Sequence, residues 1–74
     1  MLPDHEIDTF LTLVDDAITM AAEGQLVDGY LLLLAGMHYA EERREEAEPW
    51  AEELIERYRL AVENYCAGYG VSIG

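Results

Sequence analysis

The chain has 74 residues and a mass of 8.3 kDa, with sixteen acidic residues against four arginines, no lysine and a formal net charge of −12. That balance excludes partners read through a basic patch, namely nucleic acid and anionic membranes. Half of the residues are hydrophobic (51%), too many for a disordered acidic tail.

A single domain is the most that this length allows. A domain so small buries only about 60% of the surface its unfolded chain exposes, and such scaffolds compensate with disulfides, metals or oligomerisation. Cys66 is the sole cysteine, so no disulfide can form within one chain. The first residues, MLPDHEIDTF, carry acids where a signal peptide needs an apolar core. The apolar run Leu26 to Ala40 falls short of the roughly 20 residues that cross a bilayer. The expectation is a cytoplasmic protein with a buried central helix.

Helix A is predicted over about residues 5–23. Asp4 suits an N-cap and Glu6 the positive end of the helix dipole. Ile7, Phe10, Leu11, Val14, Ala17, Ile18 and Ala21 recur at helical spacing as one apolar stripe, with Leu13 and Met20 off to one flank. Gly24 then ends the helix in a left-handed conformation that glycine adopts without steric cost.

Helix B is predicted over about 26–45, with Leu26, Tyr30, Leu33, Met37 and Ala40 as its central line. Gly29 and Gly36 lie two turns apart on one edge of that line. Each interior glycine costs about 1 kcal/mol relative to alanine, so the pair implies close approach of a neighbouring backbone, assigned here to helix A. The remaining arc still carries Leu31, Leu32, Leu34, Ala35 and Tyr39. A helix apolar nearly all round must be covered on more than one side.

The composition then turns to EERREEAEP. Proline favours the first position of a helix, which places helix C over about 49–67, with Trp50, Leu54, Ile55, Tyr58, Val62 and Tyr65 on its stripe and a tail over 68–74. No stretch alternates with period two, so the fold class is all-α: a helical hairpin plus a third helix.

Around Gly24 the hairpin places Leu13, Ala17 and Met20 on the first helix and Gly29, Leu33 and Gly36 on the second. This alternation of large and small positions over Leu13 to Glu41 resembles a single tetratricopeptide repeat. Asp16 and Glu41 depart from the family pattern, standing where an apolar residue and a proline are usual. Helix C then resembles a capping helix. The resemblance implies binding rather than catalysis, and stacked repeats derive stability from neighbours, so completion by a second copy is expected.

Candidate chemistry is sparse. Glu41, Glu42, Glu45 and Glu46 form an EExxEE run with His38 one turn earlier, and carboxylates at i and i+4 share a face that suits a divalent cation. The run is similar to the first half of the metal-binding motif of MazG-type nucleotide pyrophosphohydrolases. The second half, an ExxD on the next helix, is missing. The alternative function is thus a metal-dependent hydrolase using Glu41, Glu42 and Glu45; the main reading assigns no catalytic residue, metal or cofactor. Aromatic side chains with polar tips suit half-buried interface positions. Together with the surplus leucines they give the expected protein interface: Tyr30, Leu31, Leu32, Leu34, Tyr39, Trp50 and Tyr58. The expected function is a non-enzymatic protein–protein interaction module. It would act as a homodimer or on another protein with a basic segment, through apolar faces of helices B and C with an acidic rim.

Overall fold

The computed structural model describes residues 1–72 and consists of α1 (Asp4–Ala22), α2 (Leu26–Glu45) and α3 (Ala51–Tyr69). No strand occurs among these residues, and the fold is all-α. The helices form a flattened body of 36 × 25 × 15 Å. Among the described residues no helix is long and apolar enough to cross a membrane. Of the tail expected over 68–74, Gly68 and Tyr69 belong to α3, whereas 73–74 lie outside the described residues.

Each helix ends in the same hydrogen-bonded reversal. After α1, Gly24 (φ 85°) donates to the Ala21 carbonyl and Gln25 to Met20 at 2.8 Å, the paired bonds that satisfy terminal carbonyls. After α3, Gly70 takes φ 69° and Val71 donates to Cys66. After α2 the left-handed position is Ala47 at φ 62°, with Glu48 donating to Arg43. A Cβ there crowds the following carbonyl, a strain of roughly 1–2 kcal/mol. This reversal also moves the start of the third helix. Pro49 lies in the turn, Trp50 is the N-cap and α3 begins at Ala51. At the other end Pro3, not Asp4, is the N-cap, extended at ψ 147°.

α2 is the middle helix, packed on both α1 and α3, which barely meet each other. Its buried face is Gly29, Leu33, Gly36 and Ala40. The glycine edge receives α3, where helix A was expected. A Cβ on Gly36 would overlap the Tyr58 ring, and one on Gly29 would overlap the Tyr65 hydroxyl. α1 touches this edge at one point, because the same Gly29 Cβ would lie 2.7 Å from the Ala17 carbonyl oxygen. The bare backbone lets the Tyr58 ring and the hydroxyl end of Tyr65 approach α2 closely, which side chains there would forbid. Tyr65 then donates its hydroxyl proton to the Leu26 carbonyl at 2.6 Å.

Two clusters make the core. Ala17, Ala21, Leu33, Val62 and Tyr65 form one; Leu2, Ala40, Leu54 and Tyr58 form the other. Leu13 packs against both, so α1 is rotated from the stripe expected of it. Leu11 and Ile18, which were part of that stripe, are 56% and 46% exposed.

Two substitutions test these features. Gly36→Leu must displace a ring that is 2% exposed and is expected to cost about 3 kcal/mol or more through overpacking, lowering the thermal midpoint by about 12 °C or abolishing cooperative melting. Ala47→Gly should raise that midpoint by several degrees, because glycine relieves about 1 kcal/mol of left-handed strain. A fall in melting temperature for Ala47→Gly would contradict the capping geometry.

Candidate interaction surfaces

The residues expected at an interface separate into three groups. Leu31 is open at 52% and Tyr39 at 37%. Tyr30, Leu32, Leu34 and Trp50 are half-buried. Tyr58 is a core residue, with Phe10 edge-on to its ring at 4.9 Å, and this corrects its assignment to the surface. It follows the helical spacing of α3 as Trp50 does, but meets Gly36, which draws it fully inside.

Two apolar surfaces remain. The first is the outer face of α2, opposite Leu33. Val27 (64% exposed) and Leu31 lie there with Leu34, Ala35 and His38 at helical spacing. The second is a groove of about 470 Å³ where α1 and α3 diverge. Leu33 of α2 lines it, with Phe10, Val14 and Ile18 on one wall and Leu60, Ala61 and Tyr65 on the other. Arg57, Asn64 and Tyr69 supply its polar groups. Its open edges are Ile18, Leu60 (47% exposed) and Tyr69 (38%). Val27, Ile18 and Leu60 were not singled out as surface residues from sequence. Ile18 was placed on the apolar stripe of the first helix, whereas Val27 and Leu60 lie off the stripes of their helices and were assigned no role.

Charge is segregated between the helices. All four arginines lie on the last turn of α2 and on α3, and each is beside a glutamate. Arg43 meets Glu46 at 2.7 Å, Arg44 meets Glu52 at 3.4 Å and Arg57 meets Glu53 at 3.6 Å. Arg59 bridges Glu56 and Glu63, and these contacts hold the Glu56 carboxyl below the usual carboxylate range. Asp4, Asp8, Asp15 and Asp16 of α1 are exposed, and none of the ion pairs within the described residues reaches them. These aspartates do not line the groove; Asp8 and Asp16 border a separate cleft with Thr12, Leu13 and Leu32, so the uncompensated charge of α1 lies on faces other than the groove wall.

One carboxylate is buried. Glu6, in the first turn of α1, is 4% exposed and accepts a hydrogen bond from the Tyr39 hydroxyl at 2.6 Å. The Arg43 guanidinium lies over the Tyr39 ring, 5.1 Å from its centroid, and His5 approaches Glu6 at 3.6 Å. The pairing ties the start of α1 to the second half of α2. Because ionising Tyr39 would give up its bond to Glu6 and place two negative charges together, its pKa is pushed up to about 12. Sequence reading placed Glu6 as a dipole-facing surface acid and Tyr39 as an interface residue; their partnership spans thirty-three residues, which no local pattern encodes.

Among the described residues no three His, Cys, Asp or Glu side chains converge as a cation site. His38 stands 3.6 Å from Glu41, while Glu46 and Glu52 are taken by arginines. Cys66 is half-buried and packs against the Leu33 cluster.

The raised Tyr39 pKa has a stability consequence with a definite sign. The folded value lies near 12 against an ordinary 10.0, so above pH 10 the unfolded chain binds fewer protons than the folded one. The Tyr39–Glu6 contribution is therefore complete below about pH 10 and is lost as pH rises toward 12. Burial pushes Tyr58 and Tyr65 in the same direction. Tyr39→Phe leaves Glu6 buried without its donor, which should cost about 1–3 kcal/mol at pH 7. It should also make denaturant midpoints fall less steeply between pH 10 and 12. An unchanged alkaline slope would contradict the assignment.

Comparison with protein-family models, curated proteins and solved structures finds no match for the chain.

Proposed function

We propose that the chain is a non-enzymatic, cytoplasmic protein–protein interaction module that takes a helical segment of a partner into the groove between α1 and α3. The observation that carries this reading is the groove itself, apolar across Phe10, Val14, Ile18, Leu33 and Leu60 yet uncovered by any described segment of the chain. Leu11, Val14 and Ile18 repeat at intervals of three and four along α1, the spacing by which one helix presents knobs to another. A helix laid in this groove would bury those positions on one face.

The charge distribution sets the chemistry of the occupant. The uncompensated aspartates lie off the groove wall and act on an approaching basic segment through the overall negative field, while the Arg57–Glu53 pair leaves the α3 side near neutral. Lysines or arginines along one flank of an apolar helix would be steered toward the groove by this field. The acidic surface limits non-specific aggregation of a protein that keeps apolar surface open. Self-association belongs to the same reading and would use a different face.

A synthetic amphipathic helix, with leucines at heptad spacing and lysines on one flank, is a suitable probe. Titrated against the labelled protein, it should bind saturably, one per chain. Leu60→Gln and Ile18→Gln keep the net charge and should weaken binding by about tenfold, whereas Leu31→Gln should not. Raising the salt concentration should weaken it further. If a charge-reversed peptide binds as well, or if Leu60→Gln and Leu31→Gln behave alike, the groove is not the site.

A further inference from the structure

We propose that the outer face of α2 is the seat of a second copy of this chain, with the two α2 helices antiparallel about a twofold axis between Leu31 and Leu34. The inference rests on the association reading above but not on the groove. Leu33 lines the groove from the opposite side of α2, so a pair formed through Leu31 leaves both grooves open.

Exposure comes first. Val27 and Leu31 are 64% and 52% exposed, on the helix that otherwise supplies the centre of the core. With Leu34 and His38 they follow one another at intervals of four, three and four residues, a heptad seam. Such a seam wants a helix. Its symmetry says which one. Val27 and His38 lie equally far from the midpoint between Leu31 and Leu34. An antiparallel copy therefore sets Leu31 against the partner's Leu34 and His38 against the partner's Val27. A patch that is complementary to itself is what a closed twofold interface requires.

Charge decides the direction. In a parallel pair, Asp28 would face Asp28, His38 would face His38, and Glu41, Glu42 and Glu45 would face their own copies. Antiparallel pairing instead brings His38 beside the partner's Asp28, a complementary contact. It also carries Glu41 and Glu42 to the start of the partner's α2, where Gln25 supplies no side-chain cap and backbone N–H groups favour negative charge. Like-charge contacts persist at that end, Glu41 and Glu42 coming near the partner's Glu23 and the partner's Asp28, and each chain carries −12 overall. Salt should therefore strengthen this pair, the reverse of its effect on a basic peptide in the groove.

The seam is short. The twelve residues from Val27 to His38 span about 16 Å, so the contact falls at the low end of specific interfaces and the dimer is weak. It should assemble with a Kd on the order of 100 µM, tightening as salt screens the repulsion.

Sedimentation of the full chain from about 10 to 500 µM, a range chosen to bracket that constant, is the first arm of the test. The expected result is a monomer–dimer equilibrium that tightens in high salt, weakens about tenfold in Leu31→Gln and is unchanged in Leu60→Gln. Each of these positions is exposed, and circular dichroism checks that the variants fold. The second arm reads direction. A Val27→Cys chain is mixed with a His38→Cys chain, both carrying Cys66→Ala, and oxidised. Antiparallel pairing yields the mixed disulfide over either same-residue disulfide; same-residue products overturn it. A monomer throughout the range overturns self-association by any face and leaves the groove reading to its own peptide test. Dimers lost in Leu60→Gln but kept in Leu31→Gln would place the second copy in the groove and overturn this pairing alone.

Discussion

The architecture depends on two places where α3 lies against bare α2 backbone. At Gly29 and Gly36 the rings of Tyr65 and Tyr58 fill the space that a side chain would occupy. Burying two large aromatic rings against backbone contributes more than the helix propensity lost at two glycines, since each ring buries some 150 Å² or more. The Tyr65 hydroxyl adds a part-buried bond to the Leu26 carbonyl, in the first turn of α2. With α3 drawn onto this edge and Ala17 of α1 sharing it, α2 becomes the spine of the molecule.

That arrangement has a geometric cost. Both outer helices pack on α2, and they diverge from each other over Leu33, leaving the groove. The third side of α2 is left with Val27 and Leu31 open to solvent. A chain of this length has too little surface to cover a helix that is apolar on every side. The two open surfaces thus share one origin: a central helix with three faces, and only two helices to cover them.

Electrostatics divides the molecule along the same lines. The arginines neutralise glutamates on α3 and at the end of α2, while the aspartates of α1 find no such partner. The single acid of α1 that is drawn inside, Glu6, is satisfied by a tyrosine, which keeps a hydrogen bond without bringing a cation into the interior. Exposed pairs such as Arg57–Glu53 contribute little stability; their effect is to shape the field that an approaching helix meets.

What the sequence determined alone is local. Helical period, the left-handed Gly24 and the abrupt change after Ala40 follow from backbone sterics and hydrophobic spacing over a few residues, so three helices and their approximate bounds are legible without coordinates. The two glycines of α2 announced a close approach for the same reason. What approaches them was decided in three dimensions. Tyr58, Leu11 and Ile18 all carry core-like spacing, yet one is engulfed and two stand at the rim, because burial depends on how neighbouring helices cross. Glu6 and Tyr39 are related only through folding, and Ala47 holds a left-handed turn that its side chain disfavours because the chain must reverse before α3. Periodicity names the faces of a helix; packing chooses which of them are covered.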